Sequence, residues 1–213
     1  SNKLPPYANA YMLTGVLGSD YIDRKGDGIT DDDFGSATQI RYMKHSDNYG
    51  YRTPFEGAYF NEVLKSMVTD EKARYTYGTK EIWYVKEIES RTSIAVFEYA
   101  ERQDGYGAKQ EGGIDDSQSL LYVKKISLYS KPEYEAHTDK SLATPIKVAH
   151  FEYDYSLCLG PNKTKLPHNK GDALDASSFE NQGGKLTLKK VYFTYGKSKK
   201  GKVSPYMFSY NMN

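Results

Sequence analysis

Apolar and polar positions alternate along much of the chain with the period of two that a half-buried strand requires. Four runs share one pattern: Thr38-Gln39-Ile40-Arg41-Tyr42, Ala95-Val96-Phe97-Glu98-Tyr99, Ala149-His150-Phe151-Glu152-Tyr153 and Tyr206-Met207-Phe208-Ser209-Tyr210. In each, the first, third and fifth side chains fall on one face of a strand, with a tyrosine at the fifth place. Each follows a run of a second kind: Met12-Leu13-Thr14-Gly15-Val16, the weakest copy, then Tyr84-Val85-Lys86-Glu87-Ile88, Tyr122-Val123-Lys124-Lys125-Ile126 and Thr187-Leu188-Lys189-Lys190-Val191. The unit is an outgoing strand, a connection and a returning strand. It predicts antiparallel hairpins at 12–16/38–42, 84–88/95–99, 122–126/149–153 and 187–191/206–210. Val85 and Ile88 stand three apart, on opposite faces of a flat strand. Either the outgoing strands are covered on both sides or a bulge re-phases them.

Connections within the units range from the short 89–94 turn to insertions at 18–36, 130–144 and 196–205, all leaving from the same end of the hairpins. Spacers at 43–83, 100–120 and 154–185 separate the units and read as loops. Only 59–68 carries helical spacing, with apolar residues at 59/60, 63/64 and 67/68. The expected fold class is all-β: antiparallel sheets built from about four repeated hairpins with long insertions and at most one short helix. All 213 residues form a single β-domain, read as a segment of a much longer chain. A two-layer or curved sheet should bury Phe97, Phe151 and Phe208 on one face.

Composition narrows the function classes. The 21 Tyr, with Gly 18 and Pro 8, are a strand-and-turn composition. Lys+Arg 29 against Asp+Glu 28 leaves a net charge of +1, without the basic field of a typical nucleic-acid binder. No apolar run approaches the ~20 residues of a spanning helix, and Ser1-Asn2-Lys3-Leu4-Pro5-Pro6 lacks a signal-peptide pattern. One cysteine, Cys158, excludes an intramolecular disulfide framework.

The outgoing Leu/Val-x-Lys-x-Ile pattern followed by x-Phe-x-Tyr resembles the hairpin units of bacterial RHS/YD-repeat proteins and of toxin-complex B components. Ser19-Asp20-Tyr21-Ile22-Asp23, Gly26-Asp27-Gly28, Glu81-Ile82-Trp83-Tyr84, Phe151-Glu152-Tyr153-Asp154-Tyr155 and Gly184-Lys185-Leu186-Thr187-Leu188 also resemble a module of very large bacterial surface or secreted proteins. The resemblance implies a non-catalytic structural or interaction domain, extracellular or on the bacterial cell surface. Its implied partners are neighbouring segments of the same long chain or a cell-surface partner.

Two sets of residues invite ligands. Asp23-Arg24-Lys25-Gly26-Asp27-Gly28-Ile29-Thr30-Asp31-Asp32-Asp33 places acids and a glycine as calcium loops do. The expected donors are Asp23, Asp27, Asp31, the Ile29 carbonyl and Asp33. Lys25 stands at the third position and Phe34 at the twelfth, where acids are usual. Calcium is therefore the one cofactor candidate, and its binding should be weak. Tyr49, Tyr51 and Tyr106, in presumed loops, are the candidates for a glycan-binding surface; a carbohydrate-binding module is the alternative function. Catalysis finds no motif: His45, His137, His150 and His168 are scattered, and none joins Cys158 in a nucleophile pattern. The lysines of 185–202 read as a solvated face, not a nucleic-acid site.

Overall fold

The structure, a computed structural model, describes residues 3–58, 74–159 and 183–210. Among these residues are eight strands: β1 (Gly15–Leu17), β2 (Ala37–Thr53), β3 (Thr76–Ser90), β4 (Ser93–Ala108), β5 (Ile114–Ser130), β6 (Lys147–Leu157), β7 (Lys185–Tyr195) and β8 (Tyr206–Met207). They lie in one antiparallel sheet in the order β1 to β8. The chain is all-β. Among the described residues the one α-helix is α1 (Lys131–Ala136), inside the third connection. The helical spacing at 59–68 lies outside the described residues.

All four expected hairpins form, in one shared register. Within each unit the fourth residue of the outgoing arm pairs with the second of the returning arm, and the fifth with the first: Gly15 with Gln39, Glu87 with Val96, Lys125 with His150, Lys190 with Met207. Beyond this short ladder the arms part, and the repeat tyrosine spans the gap. The hydroxyls of Tyr42, Tyr99, Tyr153 and Tyr210 donate to the carbonyls of Leu13, Val85, Val123 and Leu188 at 2.9, 2.6, 3.0 and 2.7 Å. The acceptor is the second residue of the outgoing arm every time. A carbonyl that has lost its strand neighbour is thus satisfied by a side chain.

The joints between units are equally regular. Arg41 pairs with Glu87 and Tyr42 with Val85; Glu98 pairs with Lys125 and Tyr99 with Val123; Glu152 pairs with Lys190 and Tyr153 with Leu188. Each step skips one residue, Lys86, Lys124 or Lys189, which is the bulge. The three-residue spacing of Val85 and Ile88 is therefore re-phased by a bulge, and needs no second covering layer. Each joint carries a cross-strand ion pair beside its bulge: Arg41–Glu87 at 2.7 Å, Glu98–Lys125 at 2.8 Å and Glu152–Lys190 at 2.7 Å. Such partly exposed pairs stabilise by about 0–1 kcal/mol each. Their larger effect is on neighbour choice, because like charges directly opposite are destabilising.

Two expectations are corrected. Much of the first two spacers is strand: β2, β3, β4 and β5 run deep into 43–83 and 100–120, so the longest ladders join successive units. Strand pairing continues here through Tyr49, Tyr51 and Tyr106, which were expected in loops. The aromatic core is also thinner than expected. Phe97 and Phe151 are half-buried, and Phe208, just past β8, is 40% exposed, because β8 is the last strand of the sheet among the described residues.

The sheet curves, since strands that are not neighbours meet at the spacer end. Tyr49 Oη donates to the carbonyls of Gly105 and Tyr106, and Gly50 lies so close to β4 that an added Cβ would stand 2.4 Å from the Ala108 carbonyl oxygen. Buried Arg52 donates to the carbonyls of Gln110, Pro54 and Gly57. The buried Asp104 carboxylate takes a two-pronged bond from Arg102 and the Leu186 N–H at 3.0 Å, which ties β4 to β7.

Candidate functional site

The connections of the first three units converge at one end of the sheet, as the hairpin parsing requires. The first insertion is folded around two of its own acids. Asp23 accepts the N–H groups of Lys25, Gly26 and Gly28, at 3.1, 2.6 and 3.0 Å. This winding needs positive φ at Gly26 (74°) and Gly28 (90°), which glycine adopts without strain. Asp33, 3% exposed, accepts from the N–H of Arg24, the N–H of Thr30 and the Tyr21 hydroxyl. Backbone donors, Gly28 foremost for Asp23 and Thr30 for Asp33, hold both carboxyls below their ordinary range. Burial and the Asp33 carboxylate push the Tyr21 hydroxyl up to about 12.

Of the donors counted along the sequence, Asp23, Asp27 and Asp33 are brought together, with one oxygen of each within 4.8 Å of the others. Asp31 is not among them. Its carboxylate is turned outward to the Lys131 ammonium at the start of α1. Ile29 directs its side chain toward β1, its Cδ1 lying 2.8 Å from where a Cβ on Gly15 would stand. Lys25, at the position where an acid is usual, pairs with Asp32 at 2.8 Å. A calcium ion takes about six to eight oxygens. Three carboxylates, two of them already accepting several N–H or O–H bonds, fit that requirement only in part.

Asp31 instead belongs to a chain of charges. Lys131, side chain 10% exposed, binds Asp31 and Glu89, the latter at 2.5 Å, and Glu89 binds Arg41 at 2.7 Å. Burial works to lower the Lys131 ammonium, but Asp31 and Glu89 outweigh it and hold it raised. The Lys131 N–H also donates to the Thr92 carbonyl at 2.9 Å, and Arg91 donates to the Gly35 carbonyl at 2.8 Å. Between these groups lies an open cavity of about 440 Å³, rimmed by Asp31, Arg41, Glu87, Glu89, Lys131 and Tyr134. Its charges answer one another, so its chemistry is that of a clamp between connections. Sequence reasoning missed Lys131, Glu89 and Arg41 as partners because they come from three separate units and share no motif.

The tyrosines proposed for a glycan surface do not form one platform. All three lie in strands. Tyr49 is 7% exposed and points inward, with its hydroxyl bonded to two carbonyls of β4. Tyr51, 43% exposed, lies across Gly78 of β3. Tyr106 is half-buried and lines a polar cavity of about 550 Å³ with Lys44, His45, Asn48, Asp116 and Gln118. Strand pairing decided this, since Gly50 and Gly78, read as loop glycines, serve close packing. His150 stacks on Tyr192 with ring centroids 4.6 Å apart, and His168 lies outside the described residues. No helix among the described residues is long and apolar enough to cross a membrane.

No family model, curated protein or solved structure matches the chain.

Proposed function

We propose that this chain is a non-catalytic, structural and interaction β-module of a large exported bacterial protein, RHS-like in its repeated hairpins. The observation that carries the reading is how the repeat uses its chemistry. Its tyrosine hydroxyls and its opposed charges are spent on joining arms and units. The variable connections of the first three units are gathered at one end, joined to each other through Lys131 and Arg91. A regular frame that holds irregular connections suits a module whose connections meet neighbouring parts of the parent protein. An extracellular setting supplies calcium near the millimolar level that a weak site needs, and Asp23, Asp27 and Asp33 are the donors it would use.

Hydrogen exchange, compared between the isolated domain and a longer piece of the parent chain, tests the reading. Residues 18–36 and 131–144 should gain protection in the longer piece. Unchanged protection there would overturn the assignment of the connections as the contact surface.

A further inference from the structure

The joints between units are a template, and the two outer edges of the sheet each display half of it. In the three internal joints, the third residue of the returning arm opposes the fifth of the outgoing arm: Ile40 with Ile88, Phe97 with Ile126, Phe151 with Val191. The fourth residues oppose each other, and the fifth opposes the second. At the two ends of the sheet, no strand among the described residues pairs with the outer side of the same positions. Just past β8 the chain offers Phe208, Ser209 and Tyr210; β1 offers Val16 and Gly15, with Leu13 just before it. Their apolar members are exposed: Phe208 40%, Tyr210 46%, Val16 52% and Leu13 58%. Exposed edges with apolar side chains are templates for pairing.

We propose that these edges fit each other, and that β8 of one molecule docks on β1 of a second copy of this chain. Carrying the internal register across gives Phe208 opposite Val16 and Tyr210 opposite Leu13. The internal joint of Phe151 with Val191 and Tyr153 with Leu188 has the same chemistry. Ser209 then faces Gly15.

Charge selects this occupant. At the fourth position the internal returning arms carry Arg41, Glu98 and Glu152, and the internal outgoing arms carry Glu87, Lys125 and Lys190. Any of those arms placed on an outer edge would bring a charge with no counter-charge opposite. Of the four units' arms, only the opposite outer edge brings no lone charge to either edge, because Ser209 then faces Gly15. The contact is heterologous, so it propagates head to tail. It spans only the short outer arms, so it is weak, with half-association at about 0.1–1 mM. It rests on the joint geometry alone and not on the role assigned to the connections.

Sedimentation velocity of the wild-type protein from about 10 µM to 2 mM should show concentration-dependent association in that range. Ser209→Glu and Gly15→Lys each introduce a lone charge and should weaken it at least about tenfold. Mixing the two variants should restore it, because Glu then faces Lys as Glu98 faces Lys125. A Cβ at Gly15 meets only the end of the Ile29 side chain at 2.8 Å and Thr38's carbonyl oxygen at 3.7 Å, so a small rotation accommodates it. Unchanged melting temperatures will show that both variants fold. A wild type that stays monomeric throughout, single variants that associate as it does, or a mixture that does not recover would each overturn the proposal. None of these results alters the hydrogen-exchange outcome at the connections.

Discussion

Removing one hydroxyl from each repeat tyrosine should cost an amount set by the position of its unit in the sheet. Tyr99 and Tyr153 belong to internal units, are half-buried, and donate to Val85 and Val123 at 2.6 and 3.0 Å. Tyrosine to phenylalanine there deletes a bond with a net contribution of about 1 kcal/mol and leaves a partly buried carbonyl without a donor. The expected loss is about 1–2 kcal/mol for each. At Tyr210, 46% exposed on the edge, water replaces the hydroxyl, and Tyr210→Phe should cost under about 0.5 kcal/mol. Tyr42, whose bond to Leu13 is exposed, should behave like Tyr210. Urea unfolding at constant slope measures the four differences directly. In thermal unfolding the internal changes correspond to roughly 2–8 °C. Equal losses at all four positions, or no loss at Tyr99 and Tyr153, would refute the claim that these hydroxyls bridge the parted arms.

Phe151→Ala should cost about 2 kcal/mol in urea unfolding, less than the 3–5 kcal/mol of a fully buried ring, because Phe151 is half-buried. Gly50→Ala should destabilise by about 2–3 kcal/mol, since its methyl would stand 2.4 Å from a backbone oxygen of β4 that cannot rotate away. Burial, with Lys125 and Lys202 nearby, holds the His150 imidazole below its ordinary value of 6.5. The folded state therefore takes up its proton less readily than the unfolded chain. That part of the stability is intact above the unfolded value and is lost as pH falls through it toward the folded one. The melting temperature should drop on acidification, and His150→Gln should flatten that part of the profile. For the acidic insertion, calorimetric titration should give weak calcium heats near the millimolar range that Asp27→Ala abolishes. Equal heats for the two proteins would leave only the hydrogen-bonded turn.

The repeat was legible because strand alternation is local. Thr38–Tyr42 and its three copies show their faces within five residues, and Pro and Gly mark the connections. The bulge was half legible: Val85 and Ile88 conflict with a flat strand, but the sequence does not say whether a second layer or an extra residue resolves the conflict. The lengths of β2 and β4 were not legible. Tyr49, Gly50 and Gly105–Ala108 read as loop, and they become strand by pairing with residues of β3 and β5. The acidic insertion shows the same limit. Asp31 has the spacing of a metal ligand, yet Lys131, a hundred residues away, claims its carboxylate.

The common register of the three joints is the claim on which the rest depends, and nuclear Overhauser contacts across the strands measure it. The account predicts that the partners of Tyr42, Tyr99 and Tyr153 are Val85, Val123 and Leu188, with Lys86, Lys124 and Lys189 left out of each ladder. Unbroken ladders pairing those tyrosines with Lys86, Lys124 and Lys189 would contradict it.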